Sequence, residues 1–305
     1  MRRNGKIRRG IKNNFTFIAA AALMVSAAVF PSFCAAALKD ALSLCANTLI
    51  PSLFLYITAA NLLAYCGVFG SFANTAAGRF LCRVTGLSPA GAAAFAVGMV
   101  SGFPSGVVFL SGMKREGSVT GVEAERLLPF VSNASPAFVV GAVGSLFGSP
   151  AFGAVLFAVQ CAAALSGILL EKAFFSSAAG CFGAVRQEGF LSAFPRAVRE
   201  SVLSMLAVCG YVAIFSVPCR LFANTGAAFL PSIFEIGNGC AAAGRERNMY
   251  AAAFAVGFSG LSVAFQTADI ASRESIGMKY YLPGKLYIGI ICTAAIYALS
   301  FFNLF

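Results

Sequence analysis

The residues of this chain best suited to chemistry are few, and they lie in strongly apolar surroundings. Ser101-Gly102-Phe103-Pro104-Ser105-Gly106 is one cluster and Ser132-Asn133-Ala134-Ser135-Pro136 a second. Glu235-Ile236-Gly237-Asn238-Gly239 and Ser259-Gly260-Leu261-Ser262, with Gln266 shortly after, come later. Small residues let a backbone approach a ligand closely. A helix broken at such residues exposes unpaired N–H groups at the positive end of its dipole, which suits an anionic or carboxylate-bearing solute. Asn133 offers both donors and acceptors. Glu235 stands alone among apolar neighbours, and an ionisable group at membrane depth is costly enough to mark a pathway or site. It can carry a proton or cation, or accept a hydrogen bond from a solute. Blander readings exist for the same residues. Ser101–Gly106 also suits a tight helix-packing turn, and Glu235 could lie near the interface against Arg245 or Arg247. Asp269 reads as a residue at the water boundary.

Covalent chemistry has little support. The chain contains no histidine, so His triads, His bases and His-containing metal sites are excluded. Its ten cysteines form no CxxC pair and lie mostly in apolar runs, where a free thiol behaves as a small hydrophobe. No nucleophile–base pair is present in sequence, so no enzyme, cofactor or metal site is expected. A proton or sodium ion is the candidate coupling ion. The charged run Lys114-Arg115-Glu116 through Glu123-Ala124-Glu125-Arg126 reads as a solvated loop and helix start. Thr120 caps that helix, with Glu123 at the third position.

The elements that hold these residues read as membrane helices. Hydrophobic residues make up 59% of the chain and charged residues 11%, against about 25% charged in soluble domains. Phe15–Leu38, Ala41–Gly70, Val84–Met113, Leu127–Leu170, Ser201–Cys219, Met249–Ala268 and Leu286–Phe305 carry no Asp, Glu, Lys or Arg. A spanning helix needs about 20 apolar residues. The net charge of +11 collects at the ends of these runs, where Lys and Arg orient spans. No basic stripe with interleaved aromatics is seen, so nucleic acid is not an expected partner. The bilayer and a small-molecule solute are. Arg2, Arg3, Lys6, Arg8, Arg9 and Lys12 precede the first apolar run and predict a cytoplasmic N-terminus with an uncleaved first helix.

The basic segments set the topology. The first helix exits, Lys39-Asp40 lies outside, and a second helix within Ala41–Gly70 returns. If Val84–Met113 crossed fully, Lys172, Arg186, Arg196 and Arg199 would fall outside, against the positive-inside rule. A segment that dips in and returns keeps them cytoplasmic. Gly98, Gly102, Pro104 and Gly106 suit such a broken element, because non-helical backbone survives at membrane depth only when buried in protein or lining a cavity. Phe229–Gly244, interrupted by Pro231, Glu235, Gly237 and Gly239, reads as a second broken element. Ala92–Gly98 recurs identically as Ala251–Gly257, and Phe72-Ala73-Asn74-Thr75 as Phe222-Ala223-Asn224-Thr225. Duplicated halves are common in transporters, although Ala-rich identity also arises by coincidence. The expected division is residues 1–40 as basic terminus and first helix and 41–172 as a first half. Residues 173–200 form a cytoplasmic linker, partly an interfacial amphipathic helix, and 201–305 the second half.

The order and spacing of these motifs resemble the YlbJ-type sporulation integral membrane proteins, within the wider group that carries the nucleoside-recognition, or Gate, domain. The resemblance rests on Ser101–Gly106, Glu123–Leu128, Ser132–Gly144, Glu235–Gly239 and Phe258–Val263, and covers about Leu49 to Tyr297. Two departures stand out. Val107-Val108 replaces the Ala-Lys that comes after the first motif in the family, and Ser132-Asn133 replaces a pair of asparagines. The resemblance implies an all-α polytopic bundle of two inverted halves with re-entrant hairpins, similar to concentrative nucleoside transporters. It also implies a multi-pass protein of the cell or forespore membrane that moves a dipicolinic-acid-like anion in a sporulating bacterium. A nucleoside-type solute is the alternative; a non-transporting scaffold for spore assembly is another. A homo-oligomer and a spore-assembly protein are the candidate protein partners. On this reading the solute-binding residues are Ser101, Gly102, Pro104, Ser105, Gly106, Asn133, Ser135, Glu235, Asn238, Ser259, Gly260 and Gln266.

Overall fold

The computed structural model describes residues 17–18, 20–67, 72, 75–174, 188–222 and 226–302. The basic N-terminus, the Phe72–Thr75 and Phe222–Thr225 matches in large part, and residues 175–187 of the expected linker lie outside them. Helices dominate, and no strand occurs among the described residues. Four helices are long and apolar enough to cross a membrane, or six if each of two bent pairs counts as one span. This is a multi-pass helical membrane protein.

The helices are α1 (Ala20–Val29), α2 (Pro31–Leu44), α3 (Ile50–Tyr65), α4 (Ala76–Thr85), α5 (Pro89–Ser101), α6 (Ser105–Arg115) and α7 (Gly121–Val131). Next come α8 (Ala137–Leu146, opening as a π-helix), α9 (Pro150–Phe174) and α10 (Phe190–Leu221). The last are α11 (Phe229–Phe234), α12 (Ile236–Arg245), α13 (Met249–Phe258), α14 (Gly260–Arg273) and α15 (Tyr281–Ser300).

Ion pairs and hydrogen bonds sort the helix ends onto two faces. On the first, Lys172 donates to the carbonyls of Arg83 and Val84, Arg126 pairs with Glu171, Arg115 pairs with Glu274, and the Lys279 amide donates to Glu125. Arg196 stacks over the Tyr65 ring on the same face. On the second, Arg220 pairs with Asp40, the Ala228 amide donates to Glu246, Arg247 donates to the Phe147 carbonyl, and Tyr250 meets Ser300. Helices α9, α10 and α15 therefore run from face to face.

Two segments fold back instead. From the first face, α5 descends to Gly102 and α6 returns, packed along it. The close approach requires glycine: a Cβ on Gly106 would stand 2.6 Å from the Gly98 Cα and 2.4 Å from the Val131 carbonyl. From the second face, α11 descends to Glu235 and α12 returns, with Gly239 lying against Ser232. Beside each hairpin runs a helix pair interrupted midway. Helix α7 ends at Val131 and α8 begins after Ser132–Ser135. Helix α13 breaks at Ser259 and Gly260, both at positive φ, and α14 continues toward the first face as part of one apolar stretch, Met249–Arg273.

Three expectations change. Lys39 and Asp40 do not form a turn between two helices. They lie within α2, which continues through a π-helical turn, Cys45–Leu49, into α3. No Gly or Pro stands at 39–40 to stop a helix; the break falls before Pro31, where α1 and α2 meet at a bend of 107°. The stretch expected as linker up to residue 200 is helical from Phe190, continuous with the span. The identical heptapeptides fall in unlike elements: Ala92–Gly98 in a hairpin arm, Ala251–Gly257 in the first half of an interrupted span. Both are small-residue surfaces under close packing, with Gly98 against the Val131 backbone and Gly257 against Gly289.

Candidate functional site: a small cavity where two tips meet two breaks

Each hairpin tip sits against an interrupted span. At the first, the Phe103 amide donates to the Asn133 carbonyl at 2.7 Å. Gly102 has φ +68°, and a Cβ there would lie 2.6 Å from the Ser135 backbone. The Phe103–Pro104 bond is cis. At the second, Gly260 has φ +79° and approaches the Glu235 backbone, with a Cβ placed 3.0 Å from its amide nitrogen.

Between tips and breaks lies a cavity of about 60 Å³. Pro104, Asn133, Ser135, Glu235, Ser259 and Gln266 line it, and Leu49, Leu53, Ile57, Phe138, Val208 and Val212 among others supply apolar walls. A water occupies about 30 Å³ of liquid, so the space holds a water or two. Drug-sized ligands occupy pockets of roughly 300–1,000 Å³. The cavity is therefore too small to hold a solute of that size in this conformation.

Glu235 is 1% exposed and sits at the N-terminus of α12. Its carboxylate accepts from the amides of Gly237 (2.9 Å) and Asn238 (2.6 Å) and from the Asn238 side chain (2.9 Å). No basic group pairs with it among the described residues. Arg247 turns instead to the Phe147 carbonyl, so neither Arg245 nor Arg247 is its counter-ion. The helix end, which favours negative charge, takes that place.

The first break is less completely satisfied. The Asn133 amide nitrogen donates to the Phe130 carbonyl, while its buried Oδ1 has no partner. Ser135 caps the next helix by accepting from the Phe138 amide at 3.2 Å. Gln160 donates to the Ala134 carbonyl at 2.9 Å, leaving its own Oε1 unpaired. The buried hydroxyls of Ser101 and Ser105 also lack partners. Unsatisfied buried polar atoms cost free energy, and a polar ligand that reaches them recovers it.

The remaining sequence-chosen residues do not line the cavity. Gly102 and Gly260 shape its edges, and Gly106 packs hairpin arms. Ser105 faces a vestibule on the first face, and Ser101 is buried behind the tip. Asn238 bridges Glu235 to Ser216 and lines a vestibule on the second face.

Sequence reasoning missed Lys285. It precedes an apolar run and reads there as an interfacial anchor, yet it is 0% exposed. Its Nζ donates to the Ser132 carbonyl at 2.8 Å. The Ser132 hydroxyl meets Thr267 (3.2 Å) and Tyr281 (3.1 Å), which ties the first break to α14 and α15. Glu123 was also misread. It is capped as expected, its amide donating to Thr120 at 3.2 Å. However, its side chain is buried, accepting from the Ser88 amide at 2.8 Å and joining α7 to the start of α5. Asp269, by contrast, is exposed and pairs with Arg273 at 2.7 Å. No cluster of potential metal ligands occurs among the described residues.

Fold and site together define a multi-pass helical membrane protein with a small, largely apolar cavity at its centre that carries Asn133, Ser135, Glu235, Ser259 and Gln266 on its wall. No family model matches the chain, and no solved structure does. The chain is similar to the sporulation integral membrane protein YlbJ of Bacillus subtilis (strain 168). The two are 25% identical over 331 aligned residues, which span 92% of this chain and 81% of that protein. The likeness supports assignment to the YlbJ type.

Proposed function

We propose that this chain is a transporter of a small anionic solute, of the dipicolinic-acid kind, across a membrane of a sporulating bacterium. The observation that carries the reading is convergence. Pro104, Asn133, Ser135, Glu235, Ser259 and Gln266, far apart in sequence, line one cavity midway between two charged faces. Two inverted halves give this arrangement. A hairpin enters from one face beside an interrupted span and a further helix. The same series, α11–α12, α13–α14 and α15, enters from the other face. Rocking of one half against the other then exposes the cavity to each side in turn. The face carrying Arg83, Lys114, Arg115, Arg126, Lys172, Arg196, Arg199, Arg273 and Lys279 is cytoplasmic under the positive-inside rule, and the N-terminus belongs on that side.

The polar chemistry favours an anion. Lys285 places an amine donor behind the first break, on the Ser132 carbonyl, with no acidic partner among the described residues. An anion beside Glu235 requires that carboxylate to be neutralised, so Glu235 carries the coupling proton or sodium ion. The reading assigns no bond-making step to the chain. Equilibrium binding of labelled dipicolinate and labelled uridine to the purified protein in detergent tests it. Dipicolinate binding, lost in Asn133→Ala, supports the reading. Preference for uridine moves the solute to the nucleoside class, and binding of neither favours a scaffold.

A further inference from the structure

Helix α10 is 32 residues long, and three separate spaces open at successive levels along it. Arg196 and Glu200 line a vestibule of about 490 Å³ on the first face. Val208 and Val212 line the central cavity. Ser216, Cys219 and Arg220 line a vestibule of about 610 Å³ on the second face, with Asn238 and Arg245 opposite. Residues four apart are neighbours on a helix surface but step about 40° round it, so 196, 200, 208, 212, 216 and 220 wind round α10 from one face of the protein to the other. At 1.5 Å per residue, the barrier from Glu200 to Val208 is about 12 Å thick and that from Val212 to Ser216 about 6 Å. The thicker barrier contains buried Met205, and the Asn61–Ser201 hydrogen bond, 3.1 Å long, lies at its vestibule edge. At the thinner one, the Asn238 side chain donates to the Ser216 hydroxyl at 2.8 Å and to Glu235 at 2.9 Å. Ser216 in turn donates to the Val212 carbonyl at 2.7 Å, fixing its hydroxyl.

We propose that Ser216 and Asn238 form the door through which solute passes between the central cavity and the Arg220–Arg245 vestibule. This rests on the transport reading and names its positioning residues. Asn238 belongs to both the door and the Glu235 cap, so its departure from Ser216 opens the cavity and also frees the carboxylate to bind or release its ion. Loading of Glu235 and opening toward the second face are thereby one event. Ser216 lies on the vestibule wall and gates the cavity through its bond to Asn238.

Thiol accessibility tests the door without needing a solute. Val212→Cys is placed in the full chain in sealed vesicles, and its modification by a membrane-impermeant reagent is read at that residue by peptide mass spectrometry. Arg245→Cys and Arg196→Cys report which side each vestibule opens to. Modification of Val212→Cys is expected to be slow from both sides. Adding Ser216→Ala or Asn238→Ala raises it about tenfold from the Arg245 side, the shift in open population that loss of one hydrogen bond gives. Ser201→Ala leaves that rate unchanged. Unchanged rates in both door variants, or an equal rise from the Arg196 side, overturn the proposal. Should Asn238→Ala fail to fold through loss of its bond to Glu235, Ser216→Ala, which leaves the cap intact, decides alone. A sided rise in accessibility with no uptake of any anion upholds the door and sinks the anion reading. Uptake with no change in accessibility does the reverse.

Discussion

The two junctions of tip and break use the same backbone geometry and opposite polar economies. At the first, Ser101–Gly106 meets Ser132–Ser135, the charge is a lysine held behind the break, and Asn133 Oδ1 and the hydroxyls of Ser101 and Ser105 have no partners. At the second, Phe234–Glu235 meets Ser259–Gly260, the charge is a carboxylate on the cavity wall, and both its oxygens are occupied. A satisfied group holds a conformation, whereas unsatisfied ones await a ligand. In the proposed transport scheme, solute capture falls to Asn133 and Ser135 on the cavity wall, and ion coupling and gating to Glu235 and Asn238.

Substitutions can break this division, and the largest effects belong at the second junction. Glu235→Ala removes three hydrogen bonds to a charged group, about 1.5–3 kcal/mol each. It is expected to abolish uptake and lower the melting temperature. Glu235→Gln is expected to retain the fold while flattening the dependence of uptake on pH. Gly102→Val forces a side chain into the Ser135 backbone at positive φ. Overpacking and backbone strain cost about 2–3 kcal/mol, measured by thermal unfolding in detergent. Lys285→Met strands the Ser132 carbonyl at a cost of about 1–3 kcal/mol, partly offset by removal of a buried charge. Its sharper signature is a fall in dianion uptake relative to a neutral solute. Ser101→Ala deletes a hydroxyl with no partner behind the tip, so stability should move by no more than about 0.5 kcal/mol, and uptake should hold.

Much of this architecture was legible because breaks at membrane depth need special residues. Gly102 and Pro104 marked the first tip, Asn133 and Pro136 the first break, and Pro231, Glu235 and Gly237 the second tip. The hairpin of α5 and α6 came from keeping the basic segments on one side. What stayed hidden depends on tertiary partners. Lys285 has the sequence context of an anchor, and only the packing of α15 against the first break, where it donates to the Ser132 carbonyl, makes it an interior residue. Ser216 is one serine in an apolar helix until Asn238 reaches it. Glu123 sits in a run of charges, and its burial against Ser88 comes from the packing of α7 on α5. The repeated heptapeptide misled for a related reason. Alanine and glycine are selected wherever helices pack closely, so identical composition recurred in elements of different kinds.

Uptake of labelled dipicolinate into liposomes containing the purified protein, with and without an imposed proton or sodium gradient and beside labelled uridine, tests the central claim most directly. The transport reading predicts gradient-stimulated dipicolinate uptake that Asn133→Ala reduces and Glu235→Ala abolishes. Dipicolinate uptake equal to that of protein-free liposomes, from protein shown to be inserted and folded, would contradict it.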